Sequence, residues 1–122
     1  MRLNQVTLGA TDYEASVAFY KALGLTQIVD SPPRYARFET PGGETLSIHH
    51  VDAVKSTTTI YFEVDDVDTF VAALGLPLIH EPVDQRWLWR EARLMDPAGN
   101  EICIYHAGKN RRFPPWRIES EG

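Results

Sequence analysis

Two segments of the chain, Glu44–His50 and Glu101–His106, alternate apolar and polar residues with the period of two expected of a strand buried on one face. Each follows a Pro-x-Gly turn, Pro41-Gly42-Gly43 before the first and Asp96-Pro97-Ala98-Gly99-Asn100 before the second. The same reading predicts strands over Leu3–Leu8, Gln27–Asp30 and Tyr35–Glu39, and later over Thr58–Val64, Leu78–Glu81 and Trp87–Met95. Twice the period changes to that of a helix. Ser16, Phe19, Tyr20 and Leu23 share one helical face, and Val67, Phe70, Val71 and Leu74 share another. Thr11-Asp12-Tyr13-Glu14 has the form of a capping box with Thr11 as the cap. Gly24 and Gly75 stand where a left-handed residue would end each helix. Ser31-Pro32-Pro33 predicts a bend, because proline cannot donate to a ladder.

The order strand, helix, strand, strand, strand therefore occurs twice. Module 1 spans about residues 1–55 and module 2 about 56–106, joined near Val51–Thr58. Val6-Thr7-Leu8-Gly9-Ala10-Thr11-Asp12 has its counterpart in Ile60-Tyr61-Phe62-Glu63-Val64-Asp65-Asp66, and both helices run out in Leu-Gly-Leu. Residues 107–122 carry Pro114-Pro115 and no periodicity, which predicts an extended tail anchored by Phe113 or Trp116. The expected architecture is one α+β domain of two βαβββ modules, with curved mixed sheets enclosing a concave cavity and a helix on the outer face of each sheet. Alternation then sends Leu46, Ile48, Ile102 and Ile104 toward the helices, and Ser47, His49, Cys103 and Tyr105 toward the cavity.

At 122 residues the chain has the size of one small domain. A net charge of −5 argues against a nucleic-acid surface, and the basic cluster Lys109, Arg111, Arg112 and Arg117 reads as a solvated or partner-facing tail. Cys103 is the single cysteine, which excludes an internal disulfide and fits a reducing compartment. No segment has the length and apolarity of a membrane span, and the first residues do not start a secretory signal, so a cytoplasmic protein is expected.

Two βαβββ modules with an Asp-Pro-x-Gly-Asn turn before the last strand resemble the vicinal-oxygen-chelate superfamily, over about residues 3–106. That group includes glyoxalase I, extradiol dioxygenases, and fosfomycin- and bleomycin-resistance proteins. The resemblance implies one divalent metal held by His, Glu or Gln on the first and last strands of each module, acting as a Lewis acid on two neighbouring substrate oxygens. It places those positions at Gln5, Ser47, Thr59 and Cys103. Gln5 is a ligand type the family uses. Thr59 and Ser47 are weak neutral donors, and Cys103 departs from the pattern. No cofactor is favoured on this reading, and a divalent metal is the alternative. The resemblance also implies a homodimer.

Around these positions the alternation brings further polar and aromatic residues to the inner side. His49 follows Ser47 on the same side and is read as a lining residue, with a general base or a displaced metal ligand as alternatives. Glu101 and Tyr105 flank Cys103; Tyr61 and Glu63 flank one another beyond Thr59. Arg37 and Glu39 face inward on one strand, and Trp89, Glu91 and Arg93 on another. So many charges either pair, as Arg37–Glu39 and Arg93–Glu91, or contact a ligand. Cys103 is read as an inert lining thiol rather than a nucleophile activated by His49. Trp87 and Trp89 at alternate positions predict a flat aromatic wall, or a dimer contact. The functional expectation is a glyoxalase/bleomycin-resistance-type protein that binds a small organic ligand without the family's usual metal. The alternative is a metal-dependent lyase, isomerase or dioxygenase with a site rearranged around Gln5, His49 and Glu101, or Glu91.

Overall fold

The computed structural model describes residues 1–55 and 58–118, so part of the predicted junction and the end of the predicted tail lie outside the described residues. The doubled element order is present. The first set is β1 (Gln5–Ala10), α1 (Tyr13–Ala22), β2 (Thr26–Ser31), β3 (Tyr35–Glu39) and β4 (Thr45–His50). The second is β5 (Thr59–Glu63), α2 (Val67–Leu74), β6 (His80–Asp84), β7 (Arg90–Met95) and β8 (Glu101–His106), followed by a 3-10 turn at Gly108–Asn110. Each set forms an open, mixed, four-stranded sheet, in the order β1-β4-β3-β2 and β5-β8-β7-β6. In the first sheet β1 runs parallel to β4, while β3 lies antiparallel to both β4 and β2.

The chain divides into two compact units that are not the two modules. One comprises Met1–Thr58 with Met95–Glu101; the other comprises Thr59–Leu94 with the chain from Ile102 onward. In the first unit Ala36, Phe38, Leu46 and Ile48 are buried on one face of the sheet, and Phe38 meets Tyr20 of α1 with ring centroids 5.7 Å apart. Burial of a side chain such as Phe38 contributes about 1.5–3 kcal/mol relative to leaving it exposed. The Asp96–Asn100 turn belongs to this unit although module 2 encodes it. Asp96 accepts from the backbone N–H groups of Ala98 and Asn100, at 3.0 and 2.8 Å, and from the Tyr20 hydroxyl at 2.5 Å. The Asn100 side-chain amide donates to the Gly9 carbonyl at 2.9 Å. Gly9 itself lies so close to Val51 that an added Cβ would sit 2.7 Å from its side chain. Burial and the neighbouring Asp96 carboxylate push the Tyr20 phenol far above its usual range, so it remains a donor.

In the second unit Ala92, Leu94, Ile102 and Ile104 are fully buried, as alternation requires, and Val67 and Val71 bury the stripe of α2. Arg90 grips Asp68 of α2 through two nitrogens, at 2.7 and 2.8 Å, and reaches Asp84 at 3.1 Å. Helix α2 is capped by the Asp66 carboxylate, which accepts from the Thr69 N–H at 3.1 Å, and ends at Gly75 with φ +63°.

Several sequence expectations are corrected. The cap of α1 is Asp12, which accepts from the Ala15 N–H at 3.1 Å; Thr11 sits one residue outside the cap position. The first strand begins at Gln5, after an exposed Leu3, and runs to Ala10 because β4 offers parallel partners through His50. The sixth strand is His80–Asp84 rather than Leu78–Glu81, with β7 as its antiparallel partner. Trp87 and Leu88 are not in β7. They form the turn before it, closed by Leu88 N–H donating to Gln85 and Gln85 N–H donating to Trp89, with Leu88 at φ +70°. The tail begins with the 3-10 turn, and Phe113 and Trp116 are both more than half exposed rather than anchoring it.

Candidate ligand-binding faces

Each unit presents one sheet face to its helix and a second, polar face. The polar face of the first unit carries Gln5 and Thr7 from β1, Tyr35 and Arg37 from β3, and Ser47 and His49 from β4. Register makes them neighbours: Arg37 stands opposite Ser47, Tyr35 opposite His49, and Thr7 beside Ser47 on the parallel partner. Ser47 is fully buried at the centre. It accepts from the Gln5 amide at 2.9 Å and shares a 2.7 Å hydrogen bond with the Thr7 hydroxyl. The Gln5 carbonyl oxygen in turn accepts from Thr45. Arg37 Nε donates to the Tyr35 hydroxyl at 2.8 Å, and the guanidinium carbon lies 5.4 Å from the Tyr35 ring centre. Ser47 first, and then Arg37, stabilise the charged form of Tyr35 by hydrogen bonding and hold its phenol below the usual range. The anticipated Arg37–Glu39 ion pair does not form, because Arg37 turns its Nε toward Tyr35 instead. His49 is exposed and borders a cleft of about 190 Å³ with Thr7, Val54, Lys55 and Asn100.

The polar face of the second unit has two layers. Beneath lies a buried polar group: Glu91 accepts from Arg93 Nε at 3.2 Å and is ion-paired to Arg93 Nη2 at 3.1 Å. Gln85 donates to the same carboxylate at 3.2 Å, and the Cys103 thiol contacts its second oxygen at 3.6 Å. Burial first, and then the Glu91 charge, push the Cys103 thiol up to about 12. A neutral, fully buried thiol beside a carboxylate is no nucleophile at physiological pH. Next to this group lies an aromatic cluster. Trp89 stacks on Tyr105 with centroids 4.6 Å apart and planes at 21°, and Tyr61 stands edge-on to both rings. Tyr61 is 46% exposed, whereas Tyr105 is buried. Trp89 is held from behind by its indole N–H donating to the Asn110 carbonyl at 3.3 Å. Trp89 and Tyr105 form the stacked pair that sequence reading assigned to Trp87 and Trp89.

Glu63, on β5, accepts from the backbone N–H groups of Ala107 and Gly108 at 2.8 and 2.9 Å and so ties the tail's first turn to the sheet. Its burial opposes ionisation, but those two N–H groups, with His106 and Arg111, outweigh it and keep the carboxyl below the usual range. Thr59 and Glu101 both have partners. Among the described residues no three His, Cys, Asp or Glu side chains are grouped as a metal ion would require. The four positions given by the resemblance do not fit a divalent ion. Gln5 has its carbonyl oxygen committed to Thr45, Ser47 is a buried hydroxyl satisfied on both sides, Thr59 is a neutral hydroxyl, and Cys103 holds its proton.

The two polar faces also share a pattern that the sequence reading did not extract. Tyr35-Ala36-Arg37-Phe38 precedes the first Pro-x-Gly turn at the spacing at which Glu91-Ala92-Arg93-Leu94 precedes the second. Arg37 corresponds to Arg93, Tyr35 to Glu91, and Ser47 to Cys103. Both arginines direct Nε to the residue two positions earlier, a phenol in one unit and a carboxylate in the other. Extending the Pro-x-Gly alignment five residues upstream would have found this.

A family model described as Glyoxalase/Bleomycin resistance protein/Dioxygenase superfamily matches residues 2–104. No curated protein matches significantly. Among solved structures, a glyoxalase/bleomycin resistance protein/dioxygenase from Nocardioides is 24% identical, with 98% of this chain and 90% of that chain covered and a TM-score of 0.76. Lactoylglutathione lyase from Agrobacterium tumefaciens is 21% identical over 86% of this chain and 92% of its own, with a TM-score of 0.72. A bleomycin-binding protein complexed with bleomycin is 19% identical over 87% and 98%, with a TM-score of 0.71. At these identities the likeness is one of fold.

Proposed function

The chain belongs to the glyoxalase/bleomycin resistance protein/dioxygenase superfamily, and from that premise we propose that it binds a small planar organic molecule rather than transforming one on a metal. The observation that carries this reading is the aromatic cluster of the second unit, in which half-exposed Tyr61 stands edge-on to the stacked Trp89–Tyr105 pair. A planar ligand stacking there gains apolar burial and quadrupole contacts together. The buried Glu91–Arg93 pair beside it supplies fixed dipoles that reward a correctly oriented polar substituent. The donor set at Gln5, Ser47, Thr59 and Cys103 supports binding over metal-dependent catalysis. Gln5, tied to Ser47 and Thr45, also weakens the rearranged metal site around Gln5, His49 and Glu101. Cys103, the single cysteine and a free thiol, supports a reducing, cytoplasmic setting. Exposed Ile79, Val83 and Leu88 on and beside edge strand β6 support pairing as a homodimer.

The test is a titration of tryptophan fluorescence with bleomycin and a panel of planar aromatic compounds, with light scattering on the same samples. A saturable signal at one ligand per chain is expected, with ligand recovered unchanged and a mass of twice the 13.8 kDa chain. Tyr61→Ala should weaken binding about tenfold while leaving the melting temperature nearly unchanged. Chelator-sensitive turnover of any panel member would replace this reading with the metal-dependent one, and a monomeric mass would remove the dimer from it.

A further inference from the structure

The correspondence between the two polar faces exposes a charge imbalance. In the second unit the triad Arg93, Glu91 and Cys103 is neutral as a whole, because Glu91 compensates the guanidinium at 3.1 Å. In the first unit the equivalent triad is Arg37, Tyr35 and Ser47. The hydroxyl of Tyr35 takes over the hydrogen bond that Glu91 makes to Nε, but it brings no formal charge. Among the described residues no carboxylate forms an ion pair with Arg37, and its two terminal nitrogens have no hydrogen-bond acceptor. The side chain is nonetheless half-buried on the sheet face. A guanidinium with one edge fixed by a phenol and the other open presents two N–H donors in a geometry that suits the two oxygens of one anion.

We propose that Arg37 is the anchor of an oxyanion subsite on the polar face of the first unit, taking the carboxylate or phosphate group of a ligand. Tyr35 positions the guanidinium by accepting from Nε at 2.8 Å, with its ring centre 5.4 Å from the guanidinium carbon. The two terminal nitrogens then form the open end of a fork that matches two oxygens of one anion. Buried Ser47, braced by Gln5 and Thr7, fixes the floor behind Tyr35. Exposed His49, opposite Tyr35 in register, adds a neighbouring donor. The subsite stands on Arg37 alone and does not depend on the aromatic cluster of the second unit, so either can fail without the other.

The experiment is a titration of protein labelled with nitrogen-15, using sodium acetate in one arm and sodium phosphate in the other. Ionic strength is held constant with sodium chloride, and the arginine Nε–H resonances are followed. The Arg37 resonance, assigned by its loss in Arg37→Gln, should shift saturably in at least one arm, with a Kd on the order of 10 mM or tighter. The arm that saturates tells carboxylate from phosphate. Arg37→Lys keeps the charge and loses the fork, so binding, followed in parent and variant alike by the backbone amide resonances of β3 and β4, should weaken about fivefold or more. Tyr35→Glu rebuilds the neutral triad of the second unit and should abolish the shift while leaving the fold intact by its amide spectrum. No saturable shift in either arm overturns the proposal, as does a shift that sodium chloride reproduces. If Tyr35→Glu does not fold, an undiminished affinity in Arg37→Lys overturns it instead.

Discussion

At the scale of single residues, environment decides chemistry more than residue type does. Cys103 is the only thiol, and its alternation places it on the polar face, yet burial and Glu91 push it up to about 12. Its folded value lies above the usual thiol value of about 8.5. Its contribution to stability is therefore complete below that unfolded value, and it is lost as pH rises from there toward the folded one. Iodoacetamide at pH 8 should label Cys103 slowly in the native protein and fully once urea has unfolded it. Glu91→Gln removes a charge that opposes the thiolate and should speed native labelling; native labelling as fast as in urea would contradict this account. Arg37 and Glu39 show how far the sequence reaches here. Their shared face was legible from alternation, but their failure to pair was not, because the partner of Arg37 is chosen by the reach of Tyr35 across the pleat.

At the scale of elements, the turns carry more of the tertiary burden than their length suggests. The Asp96–Asn100 turn was conspicuous in the sequence as a repeat of Thr40–Glu44. Its Asp and Asn are what distinguish it, and they bind α1 through Tyr20 and β1 through the Gly9 carbonyl. Removing the Tyr20 hydroxyl leaves a buried carboxylate short of one donor, so Tyr20→Phe should destabilise the protein by about 1–3 kcal/mol in urea unfolding. A loss below about 0.5 kcal/mol, the size of an ordinary surface change, would mean that the bond carries little. The helix stripes and their glycine stops were legible because period and left-handed caps are local properties. The start of β7 was not. Trp87 and Leu88 alternate like strand residues, but the hydrogen bonds closing Gln85–Trp89 take them into a turn.

At the scale of the whole molecule, the doubled βαβββ order survives while the compact units do not follow the modules. The short crossing segment Met95–Glu101 packs with the first 58 residues, and only then does the chain return to the second sheet. The chemistry of the molecule is also not duplicated. One face is aromatic with its arginine paired to Glu91; the other holds a guanidinium that, among the described residues, pairs with no carboxylate. Among the described residues no three His, Cys, Asp or Glu side chains are grouped as a divalent ion would require. Protein dialysed against manganese, iron, zinc and nickel should accordingly retain well below one metal per chain, and His49→Ala should behave as the parent does. A stoichiometric metal lost on His49→Ala would establish a relocated metal site.

The sequence alone determined the element order, the helix faces, the buried face of each sheet and the family, because these depend on periodicity, caps and a repeated turn, all of which are local. It also determined that Ser47 and Thr59 are weak metal donors, since that is a matter of donor chemistry, and that Cys103 departs from the ligand pattern the resemblance implies. Tertiary structure decided which polar neighbours pair, which aromatic rings stack and that the single thiol lies buried beside Glu91. Those outcomes turn on separations of a few ångströms and on burial among residues far apart in the chain, and no pattern along the sequence records them.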